Sequence, residues 1–206
     1  MMEQLQTLFS QHADTKFARW QERYMRNQFP FIGIRQPIRK KLQKPFLKYL
    51  DVTTLWNLSE REWQYTAIDL LLTQKQKPDM LDLLEWLITN KSWWDSVDVL
   101  AANACGKFFF AFPEYIDHTK KWLSSPSLWL RRSALLFQLR YRNKTDRERL
   151  FTYCKTLSDN PEFFIQRAIA WALREYAKTA PASVHSLLAA HSFSRLVIRE
   201  TKNSAR

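Results

Sequence analysis

Three aromatic residues, Trp94, Trp129 and Phe164, recur at a stride of 35 residues. A fixed stride of that size is the mark of stacked helical repeats, in which each unit is too small to bury its apolar face alone. Stacking in register then brings residues that are distant in sequence onto one shared surface. Glycine usage points the same way, because only Gly33 and Gly106 occur among 206 residues that include nine tryptophans and fourteen phenylalanines. A β-rich chain needs glycine for its primed turns and bulges, so an all-α fold is expected. With 46% hydrophobic residues the composition is globular, and the length suits a single domain over residues 1–206.

Helix starts are marked along the chain. Ser59 with Glu62 and Ser92 with Asp95 have the capping-box spacing, and Asp79 with Asp82 after Pro78 is a weaker variant. Ser125-Pro126 and Asn160-Pro161 each read as an N-cap followed by proline at the first helical position. Between these signals lie apolar patterns of helical period, such as Trp63, Ala67, Leu70 and Leu71. The pattern predicts about ten to twelve helices arranged as a solenoid of helical pairs rather than a bundle.

Aligning the repeats on Trp94, Trp129 and Phe164 puts Asp98 four residues on, Arg132 and Arg167 three on, Trp171 seven on and Arg174 ten on. At about 100° per residue these offsets share an arc of roughly 120°. Unpaired buried charge is costly, so a stripe carrying three arginines and an aspartate is expected to line a groove rather than a core. Each tryptophan also has a plain packing reading, strongest for Trp129. Asp98 is either a catalytic carboxylate or one half of an ion pair with an arginine.

Net charge is +12 and unevenly spread. Residues 16–48 hold ten Lys/Arg against one acid, Glu22, and residues 119–206 hold seventeen against six. Residues 49–118, between them, hold five basic and eleven acidic residues, a net of −6. Two basic arms around an acidic middle suit a clamp on a polyanion; Lys-rich solvated faces are the alternative. Arg35, Arg39, Lys40 and Lys41 form a basic run expected to start a helix after Pro37 and either to grip a phosphate backbone or to face solvent. Arg132, Arg167 and Arg174 suit phosphate contacts through their planar forks. Cys105 and Cys154 are too few for a disulfide framework, and Cys105 reads as a small core residue. The four histidines show no metal-ligand spacing. The longest apolar stretch, around residues 99–112, is interrupted by Asn103 and Lys107 and is too short to span a bilayer. No N-terminal targeting signal is evident, so a cytoplasmic protein without metal, cofactor or membrane partner is expected.

Several blocks resemble one known family. They are Tyr24-Met25-Arg26-Asn27-Gln28-Phe29 with Phe31-Ile32-Gly33-Ile34, Lys91 to Asp98, Trp129 to Leu139, and Phe163 to Lys178. Together they resemble the AlkD-type DNA alkylation repair glycosylases over about residues 5–200. The resemblance implies a HEAT-like helical-repeat solenoid with a concave basic groove. It further implies a monomer that excises N3- and N7-alkylated purines, such as 3-methyladenine and 7-methylguanine, from double-stranded DNA. The family's catalytic groups match Trp94, Asp98 and Trp171, while Tyr24, Arg132 and Arg174 match its DNA-contacting and site-supporting positions. The chain departs from the family at its shorter C-terminus, Ser204-Ala205-Arg206.

The residues suit that chemistry. An N3- or N7-alkylated purine already carries positive charge, so the leaving base needs no general acid. What remains is an oxocarbenium-like sugar, which a carboxylate can stabilise. Asp98 is the only acid on the stripe, and it could also orient or deprotonate the attacking water. Trp94 and Trp171 would offer electron-rich faces to the developing cation. The stripe carries no evident set of Asn, Gln or Glu for reading a base edge, which is compatible with a lesion left stacked. A non-catalytic DNA-binding scaffold, or a HEAT-type scaffold for an acidic peptide, is the alternative.

Overall fold

The structure is a computed structural model that describes residues 1–202; the C-terminal segment Ser204-Ala205-Arg206 lies outside the described residues. The fold is all-α, with no strand among the described residues. The chain divides into two compact units, one spanning Met1–Lys75 and the other beginning at Gln76.

The first unit contains α1 (Met2–Gln11), α2 (Thr15–Tyr24), α3 (Gln36–Gln43), α4 (Val52–Asn57) and α5 (Arg61–Thr73). Its core gathers Leu5, Phe9, Leu55, Trp56, Trp63, Ala67 and Leu71, with Phe9 of α1 stacked on Trp63 of α5 at 4.6 Å. The second unit contains α6 (Met80–Thr89), α7 (Trp94–Val99), α8 (Gly106–Ala111), α9 (His118–Leu123), α10 (Leu128–Leu136), α11 (Arg147–Thr156), α12 (Phe163–Ala177), α13 (Pro181–Ala190) and α14 (Arg195–Lys202). Phe109 anchors this core by meeting Trp122 edge-on at 5.3 Å and Phe137 at 5.4 Å. Cys105 and Cys154 are free thiols in the same interior, and burial pushes both thiols well up from their usual range.

Helices α5, α7, α10 and α12 begin at residues 61, 94, 128 and 163, which are strides of 33, 34 and 35. The repetition is chemical as well as metrical. The fourth residue of α5, Gln64, donates through Nε2 to the carbonyls of Trp56 (2.9 Å) and Leu58 (2.7 Å). Gln166, the fourth residue of α12, does the same at the same offsets, to Ser158 (2.9 Å) and Asn160 (2.7 Å). Arg131 holds that position in α10 and donates to Ser125 (2.6 Å) and Pro126 (3.0 Å). In three of these four helices a side-chain donor at the fourth position thus satisfies loop carbonyls that would otherwise be stranded; in α7 that position is Val97.

The expected caps differ from those observed. Ser125 and Asn160 each accept from the backbone N–H two residues on, Ser127 and Glu162, forming turns ahead of the helix. The true N-caps are therefore Ser127, which accepts from the Leu130 N–H, and Glu162. Ser92 closes α6 instead of opening α7, donating to the Ile88 carbonyl at 2.6 Å. Asp79 is the N-cap of α6, but its side chain makes no cap bond.

Glu62 does not cap α5 either. Its carboxylate accepts from the N–H groups of Ile32 (3.0 Å), Gly33 (2.8 Å) and Ile34 (3.2 Å), while burial raises its pKa. Those bonds hold the 31–35 segment against α5. Gly33 has a φ of +91°, and a Cβ there would lie 2.1 Å from the Asp14 carbonyl oxygen at the start of α2. Gly33→Ala combines a left-handed backbone with a clash against another backbone atom. It should cost roughly 2–4 kcal/mol in urea unfolding, and a cost below about 0.5 kcal/mol would contradict this packing.

Candidate functional site

The second unit brings most of the aligned stripe together at the N-terminal ends of α7, α10 and α12. Trp93, Trp129 and Phe164 form a ring cluster with centroids 5.7, 5.5 and 5.2 Å apart. The residue that completes the 35-residue stride in space is therefore Trp93, not Trp94. The cause is local: α7 starts at Trp94, so Trp93 is its extended N-cap, whereas Trp129 and Phe164 are the second residues of their helices. Trp129 acts as packing. Trp94, half-buried, sits one residue on from Trp93 and shares a helix face with Asp98 at i, i+4.

Asp98 is held by Arg132 of α10. The guanidinium donates to both carboxylate oxygens, Nε to Oδ1 at 2.7 Å and Nη2 to Oδ2 at 2.9 Å. Its remaining nitrogen, Nη1, donates to the Phe164 carbonyl of α12. One side chain thus ties α10 to α7 through a two-bond fork and to α12 through a third bond. The pair is largely dry, with side-chain exposures of 5% for Arg132 and 15% for Asp98. Burial pushes the Asp98 carboxyl above its usual range, and the Arg132 bonds and charge work against that push. The expectation that Arg132 contacts a phosphate is corrected at this point. The arginine is buried and its donors are engaged by protein, so it supports Asp98.

Immediately after α7 the helix widens into a π-helical segment, Leu100–Cys105, before α8 resumes. Such segments are frequent at functional sites. Here it begins two residues beyond Asp98. Gly106 at the junction lets α10 approach, since a Cβ would lie 2.6 Å from the Phe137 carbonyl oxygen. The Tyr141 hydroxyl donates to the Gly106 carbonyl at 2.6 Å.

Trp171 lies mid-way along α12 and is half-buried. It is flanked on the same face by Arg167 and Arg174, at i−4 and i+3. Both arginines reach Glu200 of α14: Arg167 Nη1 bridges Oε2 at 3.0 Å, and Arg174 Nη1 donates to the Glu200 carbonyl at 3.0 Å. Glu200 escaped the sequence reading because it lies outside the aligned stripe, on the next repeat. Arg167 remains exposed, whereas Arg174 is only partly so.

The remaining candidates lie in the first unit. Tyr24 is 58% exposed at the end of α2 and stacks on Trp20. The basic run forms α3, with Arg35 as N-cap and Pro37 at the second position. Arg35 is exposed and lies over the Phe17 ring at 4.4 Å. Lys40 is exposed, 3.4 Å from Asp69. Arg39 departs from expectation, because it is buried and bonded to Gln43 (2.8 Å), Asp69 (2.9 Å) and Thr66 (3.3 Å). It holds α3 to α5 and cannot reach a phosphate from there.

The chain carrying this desolvated carboxylate, held by arginine in a helical-repeat scaffold, is similar over nearly its whole length to known proteins. The family described as DNA alkylation repair enzyme matches residues 5–203. The chain belongs to that family: it is an enzyme of DNA repair, and DNA is its partner. A solved structure described as a predicted DNA alkylation repair enzyme from Enterococcus faecalis is 29% identical, with a TM-score of 0.86 over 94% of this chain and 97% of that one. The crystal structure of smu.31 from Streptococcus mutans UA159 shares the fold, with a TM-score of 0.59 at 16% identity over 84% of each chain. No curated protein matches. No helix among the described residues is long and apolar enough to cross a membrane.

Removing Arg132 should strand Asp98 in a dry site. Arg132→Met is expected to cost about 3–5 kcal/mol near neutral pH. A carboxyl whose folded pKa is raised favours the protonated folded state, so its contribution is present at low pH and lost as pH rises through that pKa. The penalty of Arg132→Met should therefore shrink on acidification, as followed by urea unfolding. A penalty independent of pH would show that the pair does not carry the effect.

Proposed function

We propose that the chain is a monofunctional DNA glycosylase that hydrolyses the N-glycosidic bond of cationic N3- and N7-alkylated purines in duplex DNA. The observation carrying this reading is Asp98, a desolvated carboxylate one helical turn from Trp94 and fixed in place by the Arg132 fork. A positively charged purine departs as a neutral base and takes the bonding electron pair. The sugar left behind bears the charge, and a preorganised carboxylate in a low-dielectric site stabilises it more than water would. Asp98 is also the group that would take up the proton of the attacking water.

Trp94 and Trp171 are the proposed sugar-facing surfaces, each half-buried and so offering part of its indole to a ligand. Tyr24, Arg35 and Lys40 are the proposed backbone contacts of the first unit, all exposed. Arg167 is the proposed phosphate contact of the second, with Arg174 beside it. Because leaving-group charge supplies the selectivity in this scheme, the base need not be extruded for its edge to be read.

A second reading has one observation behind it: both oxygens of Asp98 are occupied by Arg132. On that reading the pair is structural and the chain binds DNA without cleaving it. The same assay separates the two. Purified protein incubated with methylated duplex should release 7-methylguanine and 3-methyladenine, and Asp98→Asn should slow release by about 10²–10³-fold. Activity needs the ionised carboxylate, so the rate should fall as pH drops through the Asp98 pKa. That acid limb should lie above the ordinary aspartate value of about 3.9. Full activity in Asp98→Asn would remove Asp98 from the chemistry. Absence of release with duplex binding retained would leave the scaffold.

A further inference from the structure

Helix α2 carries an aromatic stair on its outer face. Phe17, Trp20 and Tyr24 follow one another at i, i+3 and i+7, with ring centroids 5.7 and 5.4 Å apart and planes only 9° and 7° from parallel. With planes at van der Waals separation, those centroid distances mean each ring is displaced sideways by roughly 4 Å, so neighbours overlap only in part. Trp20 is 51% exposed although it is stacked on both sides. The Arg35 guanidinium closes the Phe17 end at 4.4 Å. The stair is thus a rigid, preordered set of aromatic steps that folding leaves in water.

Its surroundings choose among occupants. Lys16, Arg19 and Arg23 of α2 are exposed, and so is Arg35. The acid of this helix, Glu22, is directed to the backbone, accepting from the Phe31 N–H. An apolar protein surface laid on the stair would have to desolvate these cations without an anion to meet them. A nucleic-acid strand supplies flat π faces and phosphates together, and aromatic steps in a basic setting are how proteins hold unpaired bases.

We propose that this stair, with Trp20 as its central step, is a stacking site for an unpaired nucleobase of a DNA strand. The base lies on the uncovered part of the Trp20 face while Arg19, Arg23 and Lys16 meet the adjoining phosphates. No hydrogen-bond set reads the base edge, so the site accepts any base and prefers purines for their larger stacking area. It is distinct from the Asp98 site, and it rests on the glycosylase reading only for the identity of the strand as DNA.

The test is fluorescence anisotropy with two labelled single-stranded oligonucleotides of equal length, one carrying adenines and one whose central sugars lack bases. Both present the same phosphates, so their difference isolates stacking from charge. The full-length protein should bind the adenine strand on the order of tenfold more tightly. Trp20→Ala should erase that preference while keeping the salt dependence of binding. Trp20→Phe, which keeps an aromatic step and guards against a folding defect, should retain part of it. Equal binding of the two strands by the unmodified protein, or a preference that survives in Trp20→Ala, overturns the proposal. Base release from methylated duplex, measured alongside, tells the failures apart. Stacking preference without release rejects only the glycosylase reading, and release without preference rejects only the stair.

Discussion

The second unit depends on one ion pair, the fork of Arg132 on Asp98. Three helices meet there, since the arginine leaves α10, takes both oxygens of an α7 carboxylate and finishes on an α12 carbonyl. Both charges are largely out of water, and removing either partner would strand the other. Buried pairs of this kind are weak contributors to stability compared with apolar packing of equal volume. Their value is geometric: the carboxylate is fixed in position and orientation with its charge retained. Under the proposed function, a group that meets a cationic sugar needs both properties.

The same logic recurs along the chain and explains why the count of 32 basic side chains overstates the number of open cations. Arg39 is paired with Asp69, Arg132 with Asp98, and Arg167 and Arg174 with Glu200, each time across two helices. Two of these rungs bury arginines, Arg39 and Arg132, that look available when the sequence is read alone. Other basic groups reach the surface, such as Lys16, Arg19, Arg23, Arg35 and Lys40. The basic side chains therefore divide between a set paired with acids across helices and a set exposed at the surface, with Arg167 belonging to both.

The fold class was legible because it rests on properties that survive without coordinates: scarce glycine, helical period and a stride near 35 residues. The position of Asp98 one turn after a tryptophan was legible for the same reason. What escaped depends on partners far away in sequence. Ser59 and Glu62 have capping-box spacing, yet Glu62 is taken by three N–H groups of residues 32–34, and nothing local announces that. Trp93 and Trp94 are indistinguishable in sequence. The start of α7 between them sends one into the ring cluster and leaves the other beside Asp98. Arg39 and Lys40 are likewise adjacent cations that both reach Asp69, and helix geometry buries one while leaving the other exposed. The glutamines Gln64 and Gln166 would have been found by asking which buried polar side chain repeats at the fourth helical position.

Under the proposed function, selectivity rests on charge already present on the leaving base, acted on by a carboxylate that Arg132 keeps in place. The most direct measurement is the rate of base release from a panel of duplexes differing only in one lesion, cationic 7-methylguanine and 3-methyladenine against neutral hypoxanthine. Release of the two cationic bases, with none detectable from the neutral one, is the expected result. Release of hypoxanthine at a comparable rate would contradict the account, because a neutral base could leave only with help from a group that the Asp98 site does not contain.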